Sequence, residues 1–125
     1  MSVAEALWLL AALQAKHLIA DFFLQTGYMH ANKGRYGHPG GLMHAGLHGL
    51  GSLCVLLAFG VTPLAAAALT TAEFLVHYHL DWAKARLTAN WRLTPDRPSF
   101  WALIGVDQAL HQWTYLVLVI LVKVV

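Results

Sequence analysis

The sequence predicts an all-α fold, a transmembrane four-helix bundle running up-down-up-down, and three observations predict it. Hydrophobic residues make up 58% of the 125 residues and charged residues only 11%, against about 45–50% and about 25% in a soluble domain. Four apolar stretches each approach the roughly 20 residues that cross a hydrocarbon core of about 30 Å. The first and third connections between them collect basic residues, as loops on one side of a membrane do.

The first helix is expected over about residues 4–26. Met1 to Leu10 has no basic n-region, and no small-residue cleavage site precedes a polar mature domain, so the stretch reads as a span rather than a cleaved signal peptide. The second is expected over 41–59 and the third over 63–87, where Pro63 follows Gly60 across a tight turn. The fourth is expected over 99–124, after a loop bounded by Pro95 and Pro98. In lipid no solvent satisfies exposed backbone groups, so apolar spans of this length are helical. Together they make one integral-membrane domain over 1–125.

Gly27 to Gly40 reads as a polar, glycine-rich loop carrying His30, Lys33, Arg35 and His38. Thr88 to Ser99 carries Arg92 and Arg97 and follows Lys84 and Arg86. By the positive-inside rule both loops are cytoplasmic and both termini outside, with Lys123 opposing. The expectation is a multi-pass protein of the cell (inner) membrane, with the lipid bilayer as its first partner. A net charge of +2 is too small for a phosphate-backbone footprint, so nucleic acid is not expected as a partner. The single cysteine, Cys54, excludes an intrachain disulfide. Gly41, Ala45 and Gly49 form a small-residue stripe that permits close helix approach. A chain this small is compatible with a homo-oligomer, although no long stripe argues for one.

Eight histidines stand out against six acidic residues. Residues four apart on a helix project from one face, and every expected helix carries one such pair: His17 and Asp21, His44 and His48, His77 and Asp81, Asp107 and His111. Random placement of the His and Asp residues gives roughly one such pair in the chain. Counted inward from the basic loops, all eight residues fall at about 6–20 Å, at 1.5 Å per residue. An ionisable group in a span costs about 2.5–3.5 kcal/mol and needs a partner or a function. Imidazole and carboxylate are ligands for zinc, iron or manganese, and facing helices of a bundle build di-metal sites from such pairs. The expectation is therefore a divalent-metal centre toward the cytoplasmic side, with two ions and zinc favoured over iron or manganese. One ion, with an Asp orienting a ligating His, is the smaller variant. A polar hydrogen-bond network and a bis-His haem are the rivals, but haem gives no reason for three aspartates.

Glu73 lies one turn before His77 on the same face, as an extra ligand or an acid/base group. Lys84 and Gln25 sit near the cytoplasmic edge, where a lysine snorkels by default. Lys84 and Lys33 also offer charge to an anionic head group. Gln108 reads as a cross-helix hydrogen-bonding residue, His30 and His38 as solvated, and His79 as off the ligand face. Trp82, Trp91, Trp101 and Trp113 read as interfacial anchors. Lys16 sits where an apolar residue is expected.

In order, His17-x3-Asp21-Phe22-x-Leu24-Gln25, Asn32-Lys33, His44-x3-His48, His77-x3-Asp81-x2-Lys84 and Asp107-Gln108-x2-His111 resemble the small bacterial and phage membrane proteins catalogued as domain of unknown function 3307. The resemblance spans about residues 7–120 and implies the four-helix architecture and the ligand candidates rather than a reaction. In style the chain is also similar to YdjM-like membrane-bound metal-dependent hydrolases, which raises hydrolysis as the expected chemistry. The leading expectation is a metal-dependent hydrolase of a lipid-borne or membrane-proximal substrate, with Glu73 and Lys84 as candidate catalytic residues. A di-iron or di-manganese redox protein, a metal or proton carrier, and a purely structural polar cluster are the alternatives.

Overall fold

The computed structural model describes residues 1–124. Five helices follow one another: α1 Val3–Phe22, α2 Gly27–Asn32, α3 Pro39–Ala58, α4 Pro63–Asn90 and α5 Pro98–Val122. No strand occurs among the described residues. The chain is all-α, as its sequence predicts.

Each helix start has a local cause. Ser2 opens α1 with a reciprocal cap: its Oγ accepts from the Glu5 N–H at 3.2 Å, and Glu5 Oε2 accepts from the Ser2 N–H at 2.6 Å. Two donors that the first turn would leave unpaired are thereby satisfied. α3, α4 and α5 each begin with a proline in the first turn, where its fixed φ suits the helix and its missing N–H is no loss.

The helix ends differ from the sequence expectation. α1 stops at Phe22 rather than near residue 26, and α4 continues to Asn90 rather than 87. The connection over 27–40 is not loop throughout. Thr26 Oγ1 accepts from the Met29 N–H at 3.3 Å and caps the six-residue α2, a helix too short for periodicity to show.

α3 and α4 end in the same way. The Gly60 N–H donates to Leu57 O at 3.0 Å and the Val61 N–H to Leu56 O at 3.0 Å; the Arg92 N–H donates to Ala89 O at 3.1 Å and the Leu93 N–H to Thr88 O at 2.9 Å. This paired bonding requires a left-handed residue, normally glycine, just past the helix. Gly60 fills the position at φ 78, but Arg92 fills it at φ 49.

α1 packs on α3 and α5, α4 packs on the same two helices, and α2 lies against α3. Gly41 and Gly49 make α3 and α4 close neighbours. A Cβ at Gly41 would stand 3.4 Å from Tyr78 Cε2, and one at Gly49 3.7 Å from Phe74 Cβ and Thr70 O. An apolar cluster of Leu9, Leu13, Leu56, Ala66, Leu69, Tyr115 and Leu118 fills the interior toward the α1 N-terminus. Toward its C-terminus the interior is polar.

The distribution of polarity is inverted relative to a water-soluble bundle. His44, His48, His77 and His111 are buried, while Trp8 is 72% exposed and Leu64 84%. α1, α3 and α5 are long and apolar enough to cross a membrane. α4, at 28 residues, is long enough but more polar, because Glu73, Asp81, Lys84 and Arg86 all lie along it.

Candidate metal centre

Each long helix presents a stripe of polar residues at four-residue spacing to the interior. α1 supplies His17 and Asp21, and α3 supplies His44, His48 and Ser52. α4 supplies Glu73, His77 and Asp81, and α5 supplies Asp107, His111 and Tyr115. All are buried except Asp21, which is partly so. The five imidazoles converge. His48 and His77 stack with ring centroids 3.8 Å apart, His77 and His111 are 4.3 Å apart, and His44 and His48 4.8 Å apart. His17 closes the group at 5.1 Å from His48 and 5.4 Å from His111.

Two sets of ligand atoms arise from this convergence. Asp21, His44, His48 and His77 each bring one donor atom within 4.8 Å of the others, and His77, Asp81 and His111 do the same. His77 is common to both sets. Six of the eight sequence-predicted ligands fall in them. His17 and Asp107 do not: both nitrogens of His17 and Oδ2 of Asp107 have other partners, while Asp107 Oδ1 is buried without one.

In its neutral form, His17 donates from Nε2 to Gln108 Oε1 at 3.3 Å, a cross-helix contact as the sequence suggests, and accepts from Tyr115 OH at Nδ1, 2.9 Å away. Asp21 Oδ2 also lies 3.1 Å from His17 Nε2, without the alignment of a hydrogen bond. Asp107 Oδ2 accepts from Lys84 Nζ at 3.0 Å and from Gln108 Nε2 at 3.3 Å. Asp107 O accepts from His111 Nδ1 at 2.7 Å. A carbonyl can only accept, so His111 carries its proton on Nδ1 and turns a bare Nε2 lone pair inward. Orientation of a ligating imidazole through its other nitrogen is a recurring property of metal sites.

The remaining polar atoms are short of partners. His44 Nε2 is 3.1 Å from Asp21 Oδ1 and 3.2 Å from Asp81 Oδ2, yet neither approach is aligned as a hydrogen bond, and both ring nitrogens of His44 are buried without one. His77 Nε2 and His111 Nε2 are in the same condition. His48 Nε2 reaches Asp21 Oδ1 at 3.1 Å, but its buried Nδ1 has no partner. A buried polar atom without a partner costs about 1–3 kcal/mol. Several such atoms converging on one point call for a shared partner, and a cation is the partner that accepts lone pairs from many directions. Nitrogen and carboxylate oxygen from four side chains match the tetrahedral preference of zinc and also suit iron or manganese.

Three lysines surround the cluster, each paired with a carboxylate of another helix. Lys16 Nζ is 2.7 Å from Glu73 Oε1, Lys33 Nζ 2.8 Å from Asp81 Oδ2, and Lys84 Nζ 3.0 Å from Asp107 Oδ2 and 3.7 Å from Asp81 Oδ1. Asp21 is the carboxylate without a lysine, and it faces three imidazole nitrogens instead. Glu73 therefore lies outside both ligand sets, its Oε1 on Lys16 and its buried Oε2 without a hydrogen-bond partner. Glu73, His77, His111, Thr114 and Tyr115 border a narrow cleft there.

Several of these residues differ from what the sequence suggests. Lys33, expected in a polar loop, follows α2 and is buried on Asp81. Lys16 is buried too, and it also donates to Tyr115 OH at 3.0 Å and to His48 O at 3.2 Å. Its signal was present in the spacing Leu9, Leu13, Lys16, Ala20, all buried on one face of α1. Tyr115 continues the His111 stripe by one turn. His38 is the N-cap of α3, its Nδ1 accepting from the Gly40 N–H at 3.1 Å. His79 is exposed and bonded to Tyr36 OH at 3.0 Å, off the ligand face as its position indicates. Gln25 donates to Asp21 O at 3.3 Å, within its own segment.

No curated protein and no solved structure matches the chain. The family described as "Protein of unknown function (DUF3307)" matches residues 9–125, nearly the whole chain and every residue of the cluster, and the chain belongs to that family.

Proposed function

We propose that the four long helices cross a bilayer as an up-down-up-down bundle and hold a catalytic His/Asp metal centre. The activity we infer is hydrolysis of a lipid-borne or membrane-proximal substrate. The observation that carries the metal is the convergence of buried, unpartnered imidazole nitrogens and carboxylates on one point. The inverted polarity supports the membrane, and Glu73, His77 and Asp81 of α4 are buried inside the bundle, while Arg86 near its end is exposed. Asp21, His44, His48 and His77 hold one ion. A second ion would share His77 and take Asp81 and His111, competing with Lys33 for Asp81.

A bound divalent metal supplies a water of lowered pKa and polarises an ester or phosphoryl oxygen. Around it, Glu73 Oε2 is an unpartnered acceptor beside His77 and His111, placed to take a proton. Lys16 holds the other oxygen of Glu73 and fixes the carboxylate in that position. Lys84 ties α4 to α5 through the Asp107 carboxylate, while the Asp107 carbonyl orients His111. The basic loops put the centre on the cytoplasmic side of the inner membrane.

One observation favours a second reading. Glu73, Lys16, Tyr115, His17 and Asp21 form an unbroken chain of polar contacts from the apolar half of the bundle to the cluster. A metal or proton carrier would use such a chain.

The test is elemental analysis of purified protein beside a His44→Ala, His111→Ala double variant. Stoichiometric zinc in the parent and its loss in the variant support the centre, and iron or manganese moves the chemistry to redox. Equal, substoichiometric metal in both removes it. Ion flux in liposomes without turnover selects the carrier.

A further inference from the structure

Beside the cluster, between the end of α4, the start of α5 and α2, lies a cavity of about 460 Å³, within the about 300–1,000 Å³ of small-molecule sites. Lys33, Lys84 and Arg92 line one part of it, and Leu93, Phe100 and Ile104 another. No acidic residue borders it. Lys33 and Lys84 are shared with Asp81 and Asp107, so Arg92, in no ion pair among the described residues, is the cation the lining offers first to an anion, and the apolar wall is far more than a free inorganic anion needs. The combination fits an amphiphile with a negatively charged head.

Arg92 gives an independent reason to regard the cavity as built. It occupies the left-handed position past α4 at φ 49, where the matching turn past α3 uses Gly60 at φ 78. A side chain there works against the backbone, and strain of this kind accumulates at ligand sites. A guanidinium is what an arginine adds at that position, and Arg92 is one of the residues lining the cavity. At the inner wall, Lys33 is on Asp81 and Lys84 on Asp107, so a head group held by these three cations adjoins the imidazole cluster.

We infer that this cavity seats a phosphate-bearing lipid, with the phosphate on Arg92 and the two lysines and the acyl chain along Leu93, Phe100 and Ile104. The assignment names the substrate class of the proposed hydrolase and rests on that reading for its catalytic meaning, but lipid binding at the cavity needs no metal.

The experiment is native mass spectrometry of the full chain in detergent, titrated with phosphatidic acid, phosphatidylcholine or inorganic phosphate. Parent, Arg92→Gly and Ile104→Trp are compared, with thermal unfolding and metal content read on the same preparations. Phosphatidic acid is expected to bind the parent, and phosphatidylcholine and millimolar phosphate are not. Arg92→Gly is expected to weaken binding at least about tenfold, the worth of one charge-assisted contact, with no fall in the unfolding midpoint because glycine suits the turn. Ile104→Trp fills the apolar wall and is expected to weaken the lipid alone. Equal binding of the two lipids, competition by free phosphate at lipid concentrations, or a folded Arg92→Gly protein that binds like the parent overturns the proposal. Metal content separates the two readings. Arginine-dependent lipid binding by a metal-free parent sinks the hydrolase and leaves the cavity, and a metal-loaded parent indifferent to phosphatidic acid does the reverse.

Discussion

Lys16 Nζ lies 2.7 Å from Glu73 Oε1, with both side chains buried between α1 and α4. A lysine standing where the sequence leads one to expect an apolar residue is the interior partner of the one glutamate in the cluster region. Removing one member of such a pair leaves an uncompensated charge, which costs about 3–5 kcal/mol. Glu73→Gln is expected to lower stability by that order in a detergent unfolding experiment. A Lys16→Met, Glu73→Leu double variant is expected to recover most of it. A single variant as stable as the parent would show that the pair does not form.

Gly51 makes room for this lysine. A Cβ there would stand 2.6 Å from Lys16 Cγ and 2.9 Å from Cδ, whereas Gly46 in the same helix has nothing within 4 Å. Alanine in a helix interior gains about 0.8–1 kcal/mol over glycine, so Gly46→Ala is expected to stabilise. Gly51→Ala is expected to cost about 1–3 kcal/mol through overpacking, since the far end of Lys16 is fixed by three contacts. Opposite signs of the two midpoint shifts are the measurement.

Metal retention should rank the histidines in an order that sequence does not. His77 belongs to both ligand sets, while His17 belongs to neither. His77→Ala is expected to lose at least half of the bound metal at equilibrium with a weak chelator. His17→Ala is expected to retain most of it, weakened by roughly 10- to 100-fold as for groups that orient ligands. Equal losses would place His17 among the ligands.

Arg92 bears on stability as well as binding. With φ at 49, its replacement by glycine is expected to raise stability by about 1 kcal/mol, read as a higher unfolding midpoint without lipid. A lower midpoint would mean that the guanidinium holds the fold together.

Apolar length, turn-forming prolines and the four-residue spacing of His and Asp determined a good deal by themselves: the four long helices, their approximate limits, and a polar layer shared by all four, but not the short α2. These are local properties of the chain, so they are written in its order. What spacing cannot fix is which of two nitrogens an imidazole turns inward, or which carboxylate a lysine from another segment will meet. Tertiary packing decided that Tyr115 and Gln108 of α5 would meet His17, that Lys16 would meet Glu73, that Lys33 would meet Asp81, and that Lys84 would reach Asp107. It also decided that Lys33 would be buried, because α2 folds against α3 and carries the following residue inward. The physical reason is range: a helix sets its own faces through bonds four residues long, whereas the partners of a buried charge come from whichever helices lie within a few ångströms.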